Sequence, residues 1–545
     1  MKGYNDFNSV EELYEYYHIE MPNMVTEKKA EKEEKDHGEP TKVLNPDKLE
    51  VIYADLKKKP TNIFKHIIVF TNDNDSKNNK TLKNIEDAIE ALKKAKCEVI
   101  PELHVFVAAE IQADDDAREI TITDGDVEYK ITEESNLDTL VFARLGVQEE
   151  ENAEHIVKVL QDRGFLVLNP VQYSALACNK YDSAVLFKKG EIPQPNFCLM
   201  TKDILYDEKQ YNDAMREIYP KWDDKDPDNN EELTFVMKIL DGHGGTGVAM
   251  SDGKKILAFL QMIFAIDPER KLILQKKEEA DGGDIRVHVL TLRDKQIILA
   301  AMKRVKLGGD FRSNVSLGAE AEPVKLTPEQ EQIALKTAQL SKLPWCAVDI
   351  MPLVKGSNPE IGDNVVLEIN ASPGTDGISE VIGENFVNVL IDNLQDPGLF
   401  YLQDKVAGFI ESVTVDFGDG FSKQFLAKLD TGNSTKASCL EVGEITQKGK
   451  KVSFTLEGKT LTYDIFDTSK AIAGEETYER PIVIIPEITC GLRKLKNVPV
   501  SLVKSREQKA TNMLLNRDAM SKLGYVINPN NAHVLTEEME KVKII

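Results

Sequence analysis

The sequence predicts an α/β (α+β) multidomain protein that ends in a mostly β domain, and three observations carry that reading. The chain has 545 residues, more than one hydrophobic core holds. From Ile63 to Asn393, short apolar strands alternate with amphipathic helices, the pattern of α/β domains. Beyond Asp396-Pro397-Gly398 the helical runs stop, and strand-like runs follow one another across Gly, Asp and Asn turns.

Residues 1–60 read as a charged extension or linker around EKKAEKEEKDHGEP. An α/β domain spans 61–175. In it HIIVF is a buried-type strand, and TLKNIEDAIEALKKAKCEVI is a helix running into a second strand. REITITDGDVEYKI is a hairpin about Asp124-Gly125, and DTLVFARLG is a further strand. ENAEHIVKVLQDRGFLVLNP is a helix followed by a strand. A second α/β block covers 176–397, opens with the helix of NKYDSAVLFKKG and contains a subdomain at about 195–275. The mostly β domain covers 404–545, with strands in VAGFIESVTVDFG, FSKQFLAKLD, KKVSFTLEGKTLTYDIF and RPIVIIPEITC.

The formal net charge of −24 excludes a general nucleic-acid or anionic-membrane surface, although a local basic cleft still suits phosphates. No apolar run approaches the ~18–20 residues of a membrane span, and the acidic, aromatic N-terminus is unlike a signal peptide. The six cysteines are scattered without a CxxC pair, which reads as reduced thiols and a cytoplasmic protein. Eight histidines include no HExxH and no close pair, so the sequence offers no zinc site.

Three stretches of the second block carry chemistry. In TFVMKILDGHGGTGV, Lys238 lies on a strand before a loop containing Gly242, Gly244, Gly245 and Gly247. Such a loop lets backbone N–H groups wrap phosphate oxygens while the lysine neutralises their charge; alone, it is equally an ordinary hairpin. In PWCAVDIMPLV and NVVLEINASPG, Asp349 sits in one strand, and Glu368 and Asn370 stand two apart on another. Antiparallel pairing through the KGSNPEIGDN loop brings Asp349 beside Glu368, and three hard oxygen ligands on one sheet face suit Mg²⁺ and a nucleotide. In MKRVKLGGDFRSN, Arg304 and Arg312 lie near two glycines and Asn314, a set suited to clamping a phosphoryl group.

The order VMKILDGHGGTGV, QKKEEADGGDIR, GGDFRSN, AVDI and LEINASPGTDGI resembles the ATP-grasp ligases, and within them the RimK type. The resemblance runs from about Ile63 to Asn393. It implies a pre-ATP-grasp domain, an ATP-grasp fold with adenine between two sheets, and ATP with Mg²⁺ (Mn²⁺ as an alternative ion). It also implies activation of a carboxylate as an acyl phosphate, then amide formation with an amino acid such as glutamate. The partners are the amino acid and a peptide or protein acceptor with a free carboxylate. On this resemblance Lys180 and Lys238 bind nucleotide, and Gln275, Lys276, Lys277 and Glu278 form the adenine hinge. Gly245, Asp284, Arg312 and Asn314 contact the nucleotide, Arg304 stabilises the transferring phosphoryl group, and Asp349, Glu368 and Asn370 hold metal. Two departures stand out. The hinge reads Gln-Lys-Lys-Glu, and Ser316-Leu317-Gly318-Ala319 replaces the family's His-Arg-Gly-Gly on the substrate side.

In the β domain, AKLDTGNSTKA and the later MLLNRDAM resemble the retropepsin-like domains associated with RimK-type ligases. Asp430, Thr431 and Gly432 would then form half of an aspartic-protease site, which needs a second aspartate about 3 Å away. One motif per chain implies a homo-oligomer, at least a dimer. Asn516 stands where that family has glycine, a replacement suited to positive φ. Two other readings remain at this level: a small-molecule dipeptide ligase whose β domain only oligomerises, and a peptide-binding regulatory protein without turnover.

Overall fold

The computed structural model describes residues 49–535 except for 57–58, 73–74, 76, 78, 109–110, 116–118, 125–126, 133–137, 146–150, 241, 243–246, 293–295, 306–319, 396–404, 434–435, 474–475, 492 and 505–510. The charged N-terminal run, Gly244, Gly245, Arg312, Asn314 and Ser316 to Ala319 lie outside the described residues.

The N-terminal layer is a parallel sheet of β1 (His66–Thr71), β2 (Glu102–Val107), β6 (Thr139–Arg144) and β7 (Leu166–Leu168), in the order β2-β1-β6-β7. Both faces of β1 are covered, so Ile67, Ile68, Val69 and Phe70 are all buried, as a parallel strand requires. The helix Lys80–Lys94 starts where the Asn79 side chain accepts from the Leu82 N–H, and it buries Leu82, Ile85, Ile89 and Leu92 along one stripe. CEVI is not the second strand. β2 begins at Glu102, immediately after Pro101, which has no N–H for a ladder bond. A three-stranded antiparallel sheet of β3 (Ile111–Asp115), β4 (Glu119–Asp124) and β5 (Val127–Thr132) contains the expected hairpin. β3 was not expected, because IQADD lacks an apolar alternation.

Two antiparallel sheets follow. The first, ordered β10-β9-β11-β8, comprises β8 (Phe197–Met200), β9 (Thr234–Ile239), β10 (Val248–Asp252) and β11 (Leu272–Lys276). It has its own core, with Phe235, Met237, Leu260 and Phe264 at its centre. The second, ordered β14-β13-β12-β15-β16, comprises β12 (Asp284–Thr291), β13 (Gln296–Val305), β14 (Glu320–Pro323), β15 (Trp345–Pro352) and β16 (Asn364–Asn370). The helix Pro328–Ser341 packs on it, started by a capping box between Thr327 and Gln330 with Pro328 in its first turn.

The C-terminal part is a closed barrel with satellites. β17 (Lys405–Gly408) pairs with β28 (Tyr525–Asn528). β18 (Ile410–Asp416), β19 (Ser422–Asp430) and β20 (Ser438–Val442) come next, then the sheet of β21 (Ile445–Lys448), β22 (Lys451–Leu456) and β23 (Lys459–Asp464). β24 (Asp467–Ala473), β25 (Glu476–Cys490), β26 (Arg493–Lys504) and β27 (Met513–Asn516) complete the order β18-β19-β27-β20-β26-β25-β24. Pairing of β18 with β25 closes the ring. Among the described residues no helix is long and apolar enough to cross a membrane.

Candidate functional site

A cavity of about 790 Å³ opens between the two antiparallel sheets, with Val236, Lys238, Met250 and Gln275 on one side and Asp284, Arg304, Asp349 and Glu368 on the other. Lys238 lies on β9 with its side chain half-buried, and its ammonium pKa falls below the ordinary lysine range. Desolvation is the main cause. The Glu368 carboxylate opposes it, Lys180 adds to it, and Asp349 opposes it more weakly. Lys180 starts the helix Lys180–Lys189; its backbone N–H donates to Leu240 O and its Nζ donates to Gly242 O, which joins it to the loop after β9. The loop closes at Gly247, where φ is +72° and a Cβ would lie 2.4 Å from the Ile239 side chain.

Gln275, Lys276, Lys277 and Glu278 line the same cavity. The buried Glu278 carboxylate accepts from Asn358 Nδ2 at 2.9 Å and pairs with Lys276 Nζ at 3.1 Å. Lys276 N–H donates to Asn196 O and Lys277 N–H to Thr234 O, so the segment is fixed by its backbone.

The second sheet holds the charged cluster. In register, Arg286 faces Asp349 across β12 and β15, and Asp349 faces Glu368 across β15 and β16, as the sequence predicts for the latter pair. Arg286 grips Asp349 with Nε to Oδ1 and Nη2 to Oδ2, both 2.7 Å. Arg304 donates Nε to Asp284 Oδ2 at 2.9 Å and Nη2 to both Asp284 Oδ2 and, at 2.8 Å, Asp349 Oδ2. Asn370 Nδ2 reaches Asp349 Oδ2 at 3.4 Å. Arg304 is therefore a buried strand arginine, held between two carboxylates rather than solvated in a loop. Burial works against ionisation of Asp349, but Arg286 and Arg304 outweigh it and hold the carboxyl far below the usual carboxylate range. Burial likewise works against the Arg304 charge, and Asp349 and then Asp284 outweigh it and raise its pKa.

A hard dication needs oxygen lone pairs. A carboxylate offers about four lone-pair sites. The cluster uses one on Asp349 Oδ1 and crowds Oδ2 with donors from Arg286, Arg304 and Asn370. One site on Oδ1 remains, the half-buried Glu368 carboxylate stands beside it, and the amide oxygen of Asn370 is the third donor. These residues fit Mg²⁺ as oxygen ligands.

Sequence reasoning did not single out Arg286, although its place two residues after Asp284 puts both on one face of β12. It also missed what the N-terminal sheet contributes. Arg144 ends β6 and lines the cavity, donating Nη1 to Pro373 O at 2.9 Å and Nη2 to Thr81 Oγ1 at 3.4 Å. No carboxylate pairs with it among the described residues, and burial alone pushes its pKa down to about 10. Asn169, just past β7, donates to Trp345 O and Ala371 O and accepts from Trp345 N, tying that sheet to β15 and the end of β16.

In the barrel, Asp430 ends β19, half-buried, and its Oδ1 accepts from the Gly432 N–H at 3.2 Å; Thr431 is exposed. β27 runs parallel to β19 with Asn516 opposite Asp430, and antiparallel to β20 on its other side. The expectation of positive φ at Asn516 is corrected. Its φ is −77°, and its side chain instead caps the helix Arg517–Leu523 by accepting from Ala519 N–H at 3.1 Å.

The RimK-like ATP-grasp domain family matches residues 177–394. The chain is 34% identical over 161 residues to a probable alpha-L-glutamate ligase of Thioalkalivibrio sulfidiphilus, covering 30% of this chain and 50% of that protein. It is 33% identical over 161 residues to a probable alpha-L-glutamate ligase 2 of Shewanella amazonensis, with the same coverage. The chain thus spans about half the length of the curated relatives it matches. Among solved structures, an ATP-grasp ligase, PsnB, complexed with a minimal precursor superposes with a TM-score of 0.41 at 16% identity, covering 61% of this chain and 100% of that one. Residues 177–394 of this chain are thus similar to the RimK-like ATP-grasp domain family.

Proposed function

We propose that this protein is an ATP-dependent carboxylate–amine ligase that adds an amino acid, glutamate first among the candidates, to the carboxyl end of a peptide or protein. The observation that carries this reading is the convergence of Lys180, Lys238, Arg304, Asp349, Glu368 and Asn370 on one cavity of a RimK-like ATP-grasp domain. The names of the glutamate-ligase relatives support glutamate as the amino acid to try first.

In the reaction, an acceptor carboxylate oxygen attacks the γ-phosphorus of ATP, the bond from that phosphorus to the β-bridging oxygen breaks, and ADP leaves. The amine nitrogen then attacks the acyl carbon, the bond to the phosphate oxygen breaks, phosphate leaves and the nitrogen loses a proton. Mg²⁺ bound by Asp349, Glu368 and Asn370 would offset the phosphate charge. Lys180 and Lys238 hold the phosphates, and Lys276, Lys277 and Glu278 hold the base. Arg304, fixed by two carboxylates, offers a guanidinium that needs no reorganisation as charge develops. Arg144, desolvated and without an acidic partner among the described residues, suits the acceptor carboxylate.

The barrel is read as a module that trims or recognises the same tail. The placement of Asp430 beside β27 supports this, and a two-fold homodimer would supply the second aspartate. Intact mass spectrometry of candidate acceptors, incubated with ATP, Mg²⁺ and each amino acid, tests the ligase. A mass increment that Glu368→Ala abolishes is expected. Background ADP release and unchanged mass with every amino acid and acceptor would sink the reading.

A further inference from the structure

A second constellation lies at the opposite end of the N-terminal sheet. His66 opens β1 and Glu102 opens β2, and the parallel register sets them side by side; His104, two residues on, returns to the same face. His66 Nδ1 lies 3.8 Å and His104 Nε2 3.7 Å from the same oxygen, Glu102 Oε2. The three atoms all fall within 4.8 Å of one another. These separations are too long for hydrogen bonds. Both nitrogens are buried, and neither has a hydrogen-bond partner among the described residues. A buried, unsatisfied polar atom is costly, and two of them aimed at one carboxylate oxygen call for a shared partner. Protonating both rings would not resolve this, because their centroids are only 5.7 Å apart and two imidazolium charges would repel.

We propose that His66 Nδ1, His104 Nε2 and Glu102 Oε2 form a binding site for a divalent first-row transition ion of the zinc class. An ion with ligands at about 2.0–2.2 Å holds tetrahedral donors about 3.3–3.6 Å apart, so the two imidazole–carboxylate separations close with shifts of a few tenths of an ångström, and the two ring nitrogens already lie within 4.8 Å of each other. Two imidazoles and a carboxylate are the donor set such ions take, and they leave one position for water. Glu102 is 69% exposed, so that position faces solvent. The Tyr129 ring, 4.1 Å from the His104 ring, holds the imidazole in place.

None of the three residues lines the ligase cavity. His66 starts β1, whereas the cavity meets this sheet at the far end of its strands, through Arg144 and Asn169. Five residues of strand at about 3.3 Å each separate the two ends, so the ion ties β1 to β2 rather than joining the ligation chemistry. The absence of HExxH and of close histidine pairs in the sequence does not bear on this site, because parallel pairing, not chain spacing, assembles it.

The test uses the full chain stripped with chelator, then given Zn²⁺ or Co²⁺ in the presence of excess Mg²⁺ to occupy the oxygen site of the cavity. Retention of one equivalent of Zn²⁺ after dialysis, a visible Co²⁺ d–d spectrum without thiolate charge transfer, and a rise in Tm on metal addition are expected. Glu102→Gln, exposed and neutral to folding, and His104→Asn should each weaken binding by more than the about 10- to 100-fold typical of outer-shell changes. Ligation activity of the variants should match that of the parent. Loss of the ion in neither variant, no retained ion in the parent, or a thiolate spectrum would overturn the proposal.

Discussion

Arg286 and Asp349 face each other across β12 and β15, and the guanidinium closes a bidentate pair on the carboxylate at 2.7 Å for both bonds. The pair occupies one site on each oxygen, and Arg304 with Asn370 then crowds Oδ2, so the open lone pair is left on Oδ1. Charge-assisted bonds of this kind contribute about 1.5–3 kcal/mol each, and lysine cannot reproduce the fork. Arg286→Lys should raise the Mg²⁺ concentration needed for half-maximal ADP release and lower kcat/KM by roughly 10- to 100-fold. Steady-state assays over a Mg²⁺ series check this, and an unchanged Mg²⁺ dependence would remove Arg286 from the site.

Lys238 should impose a pH limit on nucleotide binding. Its pKa lies below the ordinary lysine range because burial disfavours the ammonium, while phosphate requires the ammonium. ATP affinity should therefore fall as pH rises through that lowered pKa, before free lysines titrate. Lys238→Arg, which stays protonated, should flatten the profile. Calorimetric titration with ATP between pH 7 and 10 measures both.

His288 is fully buried, lies against Trp345 and Phe386 with ring centroids 6.3 and 4.6 Å away, and has neither nitrogen hydrogen-bonded among the described residues. Burial, aided by Arg286, pushes its pKa down to about 3. The unfolded chain takes up this proton near the free value while the folded chain does not. Stability is thus intact above the free histidine value and falls as pH drops towards about 3, by about 1.4 kcal/mol per pH unit. His288→Phe should remove this component, leaving a flatter plot of Tm against pH between 6 and 4. Parallel plots for variant and parent would refute it.

Arg144 should act on the acceptor rather than on ATP. Arg144→Lys should raise KM for the acceptor by at least about tenfold and leave KM for ATP within about twofold, since a single ammonium replaces a forked donor. An equal rise in both values would assign Arg144 to the scaffold.

Asp430→Asn should leave ligation unchanged and stop any trimming of the tail. Sedimentation should show at least a dimer if Asp430 works as a pair. A strict monomer that still cleaves peptide in an Asp430-dependent way would contradict the paired-aspartate reading.

Much of the fold was open to sequence reasoning because its periodicities are local. The apolar run of HIIVF, the 3.6-residue stripe of Lys80–Lys94 and the paired strands β4 and β5 are each encoded in a few neighbouring residues. Asp349 opposite Glu368 could also be read, because one short loop joins β15 to β16 and leaves antiparallel pairing as the direct solution.

By itself, the sequence determined that alternating strands and helices precede a mostly β C-terminal part, that Lys238 lies on a strand, and that Asp349, Glu368 and Asn370 share β15 and β16. Only the tertiary structure decided that Arg286 rather than solvent holds Asp349, that Arg144 and Asn169 reach the cavity from another sheet, and that His66 meets Glu102 and His104. The reason is physical. Strand periodicity is written in adjacent residues, whereas sheet order and register come from packing between segments tens to hundreds of residues apart, which no local pattern records.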